Sequence, residues 1–267
     1  HRRVTFLSSL QERWEHSGSM LCVGLDPDVS RLPTQFAGKT NALAEFCIAI
    51  VDATAQYACA FKPQIAYFAA EGAEAQLERV CEHIRNAHPT IPIILDAKRG
   101  DIGDTAKLYA REAFERYNAH AVTVNPYLGT DSLEPFFAHS GRGVIVLCRT
   151  SNAGSGTFQT QLIDGAPLYE HVARRAASEW ATLGEVGLVV GATYPEELAK
   201  VRSLVGNMPL LVPGVGAQGG DAATVIRVGR AANGYGLIIN SSRAILYASS
   251  GDDFAEAAAR VAATTLG

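Results

Sequence analysis

The sequence has no C-x-x-C pair, no excess of positive charge, and no apolar run approaching the ~20 residues of a membrane helix. Its five cysteines, Cys22, Cys47, Cys59, Cys81 and Cys148, are widely spaced in apolar surroundings and read as small buried hydrophobes. That usage argues against a disulfide scaffold and fits a thiol-reducing compartment, so the cytoplasm or a similar intracellular space is expected. A formal net charge of -4 leaves no basic surface for nucleic acid and no polybasic stripe for a membrane. No signal peptide is visible. The chain opens at His1 rather than Met, which suggests a trimmed chain or part of a longer polypeptide. Neither a low-complexity linker nor a shift in composition divides it. His16, His83, His88, His120, His139 and His171 are scattered over helical or loop sequence, which gives no credible set of metal ligands. Each reads as a surface or packing histidine.

What is present is a long alternation. A hydrophobic fraction of 48% supports a sizeable core, and 19% charged residues is ordinary for a globular domain. Near-continuous apolar runs occur at Met20–Asp26, Ala58–Gln64, Ile91–Arg99, Ala121–Tyr127, Val144–Thr150, Val186–Thr193, Leu210–Val215 and Leu237–Ser241. Such runs suit parallel strands covered on both faces. Helical patterns lie between them, at Asn41–Tyr57, Tyr67–Ala87, Thr105–Tyr117, Leu168–Leu183 and Pro195–Val205. Asp131, Asp221 and Asp253 read as helix-start residues. An open doubly wound sheet could carry this pattern, but eight units in 267 residues favour one closed (β/α)8 TIM barrel, an α/β fold spanning residues 1–267. The longest loop, Ser151–Pro167, reads as a mobile active-site flap.

Chemistry in such a barrel sits at the C-terminal ends of the strands, so polar residues ending strands are the suspects. The third run reads Ile-Leu-Asp-Ala-Lys-Arg-Gly-Asp from Ile94 to Asp101, and strict alternation puts Asp96 and Lys98 on one face. The second run contributes Lys62 in Phe-Lys-Pro, and the first ends at Asp26. Lysines and carboxylates therefore converge where Val and Leu would be ordinary. The bland alternative is an ion-pair cluster that merely plugs the barrel, yet buried pairs stabilise poorly relative to apolar packing.

The segment Asp96-Ala-Lys98-Arg-Gly-Asp101-Ile-Gly-Asp-Thr105 closely resembles the D-x-K-x-x-D signature of the orotidine 5'-monophosphate decarboxylase family. The likeness extends to Phe61-Lys62-Pro63, to Pro213-Gly-Val-Gly-Ala-Gln218-Gly-Gly220 and to Ser242-Arg243, and so covers essentially the whole chain. Asn-Pro-Tyr-Leu-Gly at Asn125–Gly129 resembles the bacterial-type branch. The resemblance implies decarboxylation of orotidine 5'-monophosphate to UMP, the last step of de novo pyrimidine biosynthesis, with no cofactor and no metal. It makes Lys98 the proton donor to C6 of the pyrimidine, flanked by Asp96 and Asp101, with Lys62 completing an alternating charge array. It gives Asp26 the ribose hydroxyls, Ser151 the pyrimidine amide, Pro213 a place beside the ring, and Gln218 the phosphate with a bridge to the base. Asp101, Ile102 and Thr105 would enter the site of a neighbouring subunit in a homodimer. Ser242 stands where the commoner branch has glycine, a change that a backbone N–H contact there would survive.

The residues taken alone agree. Decarboxylation leaves electrons on carbon, and most enzymes supply a sink such as a metal or an organic cofactor. Without one, electrostatics remain: a carboxylate beside the substrate's carboxylate and a fixed ammonium where the carbanion develops. A Schiff-base role for Lys98 would benefit from a lowered pKa, whereas flanking carboxylates favour the charged ammonium. The glycine-rich turn Pro213–Gly220 before a helix start at Asp221, with Arg243 after the neighbouring strand, reads as an anion site. Two rivals are a Mg2+-dependent sugar-phosphate decarboxylase or aldolase of the same superfamily, and a non-catalytic nucleotide-phosphate-binding barrel. The first usually carries a glutamate on its second strand, where this chain has Lys62. The second has no reason to keep the charged array.

Overall fold

In the computed structural model, which describes residues 3–215 and 221–266, eight parallel strands form one sheet. They are β1 (Leu21–Leu25), β2 (Ala60–Pro63), β3 (Ile94–Arg99), β4 (Ala121–Val124), β5 (Gly143–Arg149), β6 (Glu185–Val190), β7 (Leu210–Val212) and β8 (Leu237–Ser241). The order β2-β1-β8-β7-β6-β5-β4-β3 follows the chain around a ring. Parallel bridges Phe61–Ile93 and Gln64–Asp96 join β2 to β3 and close it. This is the (β/α)8 barrel expected from the alternation. Every residue of β1, β2, β4, β7 and β8 is buried. That is why these strands read as near-continuous apolar runs rather than as alternating ones.

The helices differ from the sequence expectation in instructive ways. The pattern Tyr67–Ala87 is two helices, Ile65–Ala69 and Glu74–Ala87, parted at Gly72, whose φ of +62 ends the first. Two predicted helices, Thr105–Tyr117 and Leu168–Leu183, pass through π-helical turns at Glu112–Arg116 and Ala176–Trp180. Asp221 caps helix Ala222–Gly229 by accepting from Ala223 N at 3.2 Å. Asp131 instead lies within the first turn of helix Thr130–Phe137, and Asp253 holds the N-cap position of its helix without a capping bond. Helix Phe6–Ser17, not singled out in the sequence, starts at a capping box formed by Thr5 and Ser8. It lies across the N-terminal end of the barrel: Trp14 Nε1 donates to Leu237 O at 3.0 Å. Gly143 has no side chain because a Cβ there would sit 2.6 Å from the Phe6 ring. With that end plugged, the opposite end is left for chemistry.

All five cysteines are buried and unpaired, and burial pushes the Cys22 thiol up to about 12. Such thiols pack and do not react. No helix among the described residues is long and apolar enough to cross a membrane.

Candidate active site

At the C-terminal ends of β2 and β3 the structure joins three of the expected charges. The Asp96 carboxylate takes one ammonium on each oxygen: Lys62 Nζ at 2.7 Å from Oδ2, and Lys98 Nζ at 2.7 Å from Oδ1. Lys62 and Asp96 have side chains only 6% and 7% exposed, whereas Lys98 is 44% exposed and reaches into the mouth of the barrel. Burial opposes charge on Asp96, but Lys62 and Lys98 outweigh it and hold the carboxyl well below the usual carboxylate range. Burial likewise opposes charge on Lys62, and Asp96 with Asp26 outweighs it, so the ammonium titrates well above an ordinary lysine. The linkage follows in sign. Asp96 contributes stability above about pH 4 that is lost as acid approaches its depressed native pKa. Lys62 contributes stability below about pH 10 that is lost as base approaches its raised one. Between these limits the pair stays ionised.

Alternation along β3 does not explain how Lys98 comes to face Asp96. The register with β4 shifts between Leu95 and Arg99, and Lys98 has φ +48. A left-handed backbone at a non-glycine residue costs roughly 1–2 kcal/mol. Thr123 on β4 holds the distortion in place: its hydroxyl accepts from Ala97 N at 3.0 Å and Lys98 N at 2.9 Å, and donates to Asp96 Oδ1 at 2.8 Å. The bulge turns Arg99 outward to Glu112, 2.9 Å away, and lifts Lys98 above the carboxylate. Backbone strain placed at a reactive group is a recurrent mark of functional sites. Thr123 escaped the sequence reading because Ala-Val-Thr-Val is an ordinary strand.

Asp26 follows β1 and is partly buried; its carboxylate accepts from Ser242 Oγ at 3.3 Å, which ties the first strand to the last. Burial raises its pKa against the pull of Lys62. Gly24 permits this closeness, since a Cβ there would lie 1.9 Å from Ser242 Oγ.

Asp101 does not join the array within its own chain. Its Oδ1 accepts from Ile102 N at 2.8 Å, at the start of helix Gly103–Arg111. Ile102 is 59% exposed, and Thr105 and Leu108 on that helix are exposed too.

On the far side of the mouth, Pro213 is half-buried and Gly214 turns the chain with φ +77. A side chain at Gly214 would touch the Ser151 hydroxyl, so the start of the flap lies over this loop. Gln218 falls outside the described residues. Arg243 is exposed, opening the short helix Arg243–Leu246 directly after Ser242.

Residues 151–167 have more structure than a plain loop. They contain a 3-10 turn at Ala153–Thr157 and a hairpin pairing Leu162–Ile163 with Ala166–Pro167. Arg149, ending β5, is bound to Ser155 of the turn and to Glu197 at 2.7 Å, and lies over the Tyr194 ring. Gln159 binds Thr150 through both ends of its amide. Arg149 is a polar residue at the end of β5, and its position there is the sequence signal that marks it.

The fold and site define a (β/α)8 barrel with a lysine–carboxylate–lysine array at its mouth, facing a glycine-containing loop and an exposed arginine. The family model for orotidine 5'-phosphate decarboxylases and the HUMPS family matches residues 19–260, and the chain belongs to that family. It is 61% identical over 262 residues to the orotidine 5'-phosphate decarboxylase of Ralstonia pickettii, covering 98% of this chain and 97% of the relative. The Bordetella petrii enzyme of that name is 60% identical over 261 residues, 97% of this chain and 96% of the other. Among solved structures, the OMP decarboxylase of Leishmania donovani superposes with a TM-score of 0.84 at 40% identity, covering 98% and 99% of the two chains. The UMP synthase of the same organism superposes at 0.87 with 42% identity; 98% of this chain matches 56% of that one.

Proposed function

We propose that this protein decarboxylates orotidine 5'-monophosphate to UMP without a cofactor. The observation that carries the reading is the Asp96 carboxylate held ionised between two ammonium groups. In this reading the substrate carboxylate enters beside the Asp96 carboxylate. The C6–carboxylate bond breaks, CO2 leaves, and the electron pair stays on C6 facing the Lys98 ammonium. Lys98 then gives a proton to C6 and is reprotonated from solvent, which its partial exposure permits. Interactions that strengthen as the carbanion forms accelerate the step; those made equally with the bound substrate do not. In this reading Asp26 would bind the ribose hydroxyls, Ser151 and Pro213 would meet the base, and Gln218, Ser242 and Arg243 would meet the phosphate.

The donor set suits a divalent cation poorly. Both oxygens of Asp96 already hold ammonium groups, and Lys62 would repel a cation placed between Asp96 and Asp26. Full turnover of orotidylate to CO2 and UMP is therefore expected after exhaustive EDTA treatment. A strict need for Mg2+ or Zn2+ would move the assignment to the metal-dependent side of the family. The five buried, unpaired thiols suit a reducing compartment such as the cytoplasm.

Binding energy from the phosphate is expected to act at the distant ring. Arg243→Ala should lower kcat/KM for orotidylate roughly 10- to 100-fold, the equivalent of one charge-assisted hydrogen bond. The phosphate-free nucleoside should hardly notice the change. Equal losses on both substrates would make Arg243 a structural residue only.

A further inference from the structure

Far from the barrel mouth, three side chains converge in the outer layer of helices. Asp52 lies near the C-terminal end of helix Ala42–Thr54, His83 on helix Glu74–Ala87, and His88 at the C-cap of that second helix. Both imidazoles present Nε2 to the same atom, Asp52 Oδ1, at 2.7 Å each. On a continuous helix, residues five apart would point about 140° away from each other. His88 escapes that rule because its backbone leaves the helix, with φ -133 and ψ 59. Its ring thereby returns to the side of His83, with the two ring centres 6.0 Å apart and inclined at 68°.

We propose that Asp52, His83 and His88 form a binding site for a divalent transition metal of the Zn2+ class, which would clamp the two helices together. Among the described residues, no other group of three His, Cys, Asp or Glu side chains gathers its ligand atoms so closely. Two imidazole nitrogens and one carboxylate oxygen select Zn2+, Ni2+, Cu2+ or Co2+ over Mg2+ and Ca2+, which prefer all-oxygen sets. A tetrahedral ion with bonds of about 2.0–2.1 Å spaces its ligands roughly 3.3 Å apart. The 2.7 Å contacts therefore need only a small opening, and Asp52, whose side chain is 50% exposed, is free to make it. That exposure also leaves room for a water to complete the shell. Helices in this fold run back toward the N-terminal ends of the strands, so a site at their C-terminal ends lies on the face opposite the active site. The inference is therefore independent of the function proposed above.

The test uses full-length, tag-free protein stripped with EDTA and then dialysed. Titration with Co2+ should give visible absorption saturating at one ion per chain, and Zn2+ should displace it. Zn2+ at about a hundredfold over its Kd should raise Tm by roughly 5 °C or more. His83→Ala and His88→Ala should each weaken Co2+ binding at least tenfold and remove the rise in Tm, while matching the wild type in far-UV circular dichroism with EDTA present. Absence of stoichiometric Co2+ uptake by the wild type would overturn the proposal. So would an unchanged Zn2+ response in the folded His83→Ala/His88→Ala double variant, since the ion would then bind elsewhere.

Discussion

Lys98→Ala is expected to lose at least about 10^4-fold in kcat on orotidylate while keeping its fold. General acid catalysis alone is worth roughly 10^2–10^4-fold. Removing a fixed charge aimed at the developing anion adds roughly another 10^2–10^3-fold, by comparison with the loss of a single oxyanion donor. The fold should survive because Lys98 is the exposed end of the array. Asp96 keeps Lys62 at 2.7 Å and the Thr123 hydroxyl at 2.8 Å, so no buried carboxylate is left unpaired. The measurement is single-turnover formation of UMP, with circular dichroism and Tm as controls for folding. A folded variant with near-normal kcat would take Lys98 out of the mechanism. The contrast with Lys62 is informative, because Lys62→Ala removes the buried partner of Asp96 and should lower stability as well as activity.

The barrel was legible because strands buried on both faces leave a signal that survives without any alignment. Six of the eight apolar runs contain their strands outright, Gly143 and Glu185 start β5 and β6 one residue ahead of theirs, and polar residues such as Asp26 and Thr150 lie just past the strand ends. The charged array was legible for a related reason: Lys62 and Asp96 interrupt sequence that burial would otherwise keep apolar. What could not be read depends on contacts between residues distant in sequence. Thr123 supports Asp96 and Lys98 from the next strand, and nothing in its own segment records that task. Arg149 reaches Glu197, 48 residues away, to anchor the flap. The cluster of Asp52, His83 and His88 contradicts the picture of uniformly scattered histidines, and only helix packing brings its members together. His120 does fit the packing role: it is half-buried, accepts from Ile93 N at 2.8 Å, and burial drops its pKa to about 3. Alternation paired Lys98 with Asp96, but the cause is a bulge with a left-handed lysine, which no periodicity encodes.

Mixing two inactive variants, Lys98→Ala and Asp101→Ala, is expected to restore activity if the protein is a dimer with shared sites. Within one chain Asp101 turns to its own backbone and stays off Asp96, Lys62 and Lys98. Beside it the exposed Ile102, Thr105 and Leu108 form a partly apolar face suited to a second copy. A two-fold dimer built on that face would have two composite sites, each with Lys98 from one chain and Asp101 from the other. A mixed dimer of the variants then carries both lesions in one site and neither in the other. Random equimolar exchange makes about half the dimers mixed, so roughly a quarter of all sites should regain wild-type composition. Exchange is followed by mass spectrometry of the intact dimers, and activity by UMP formation in the same samples. Recovery near a quarter of the wild-type rate places Asp101 in its neighbour's pocket. If mass spectrometry shows full exchange and no activity returns, Asp101 works within its own chain, and its loop must then move toward Lys98 when substrate binds.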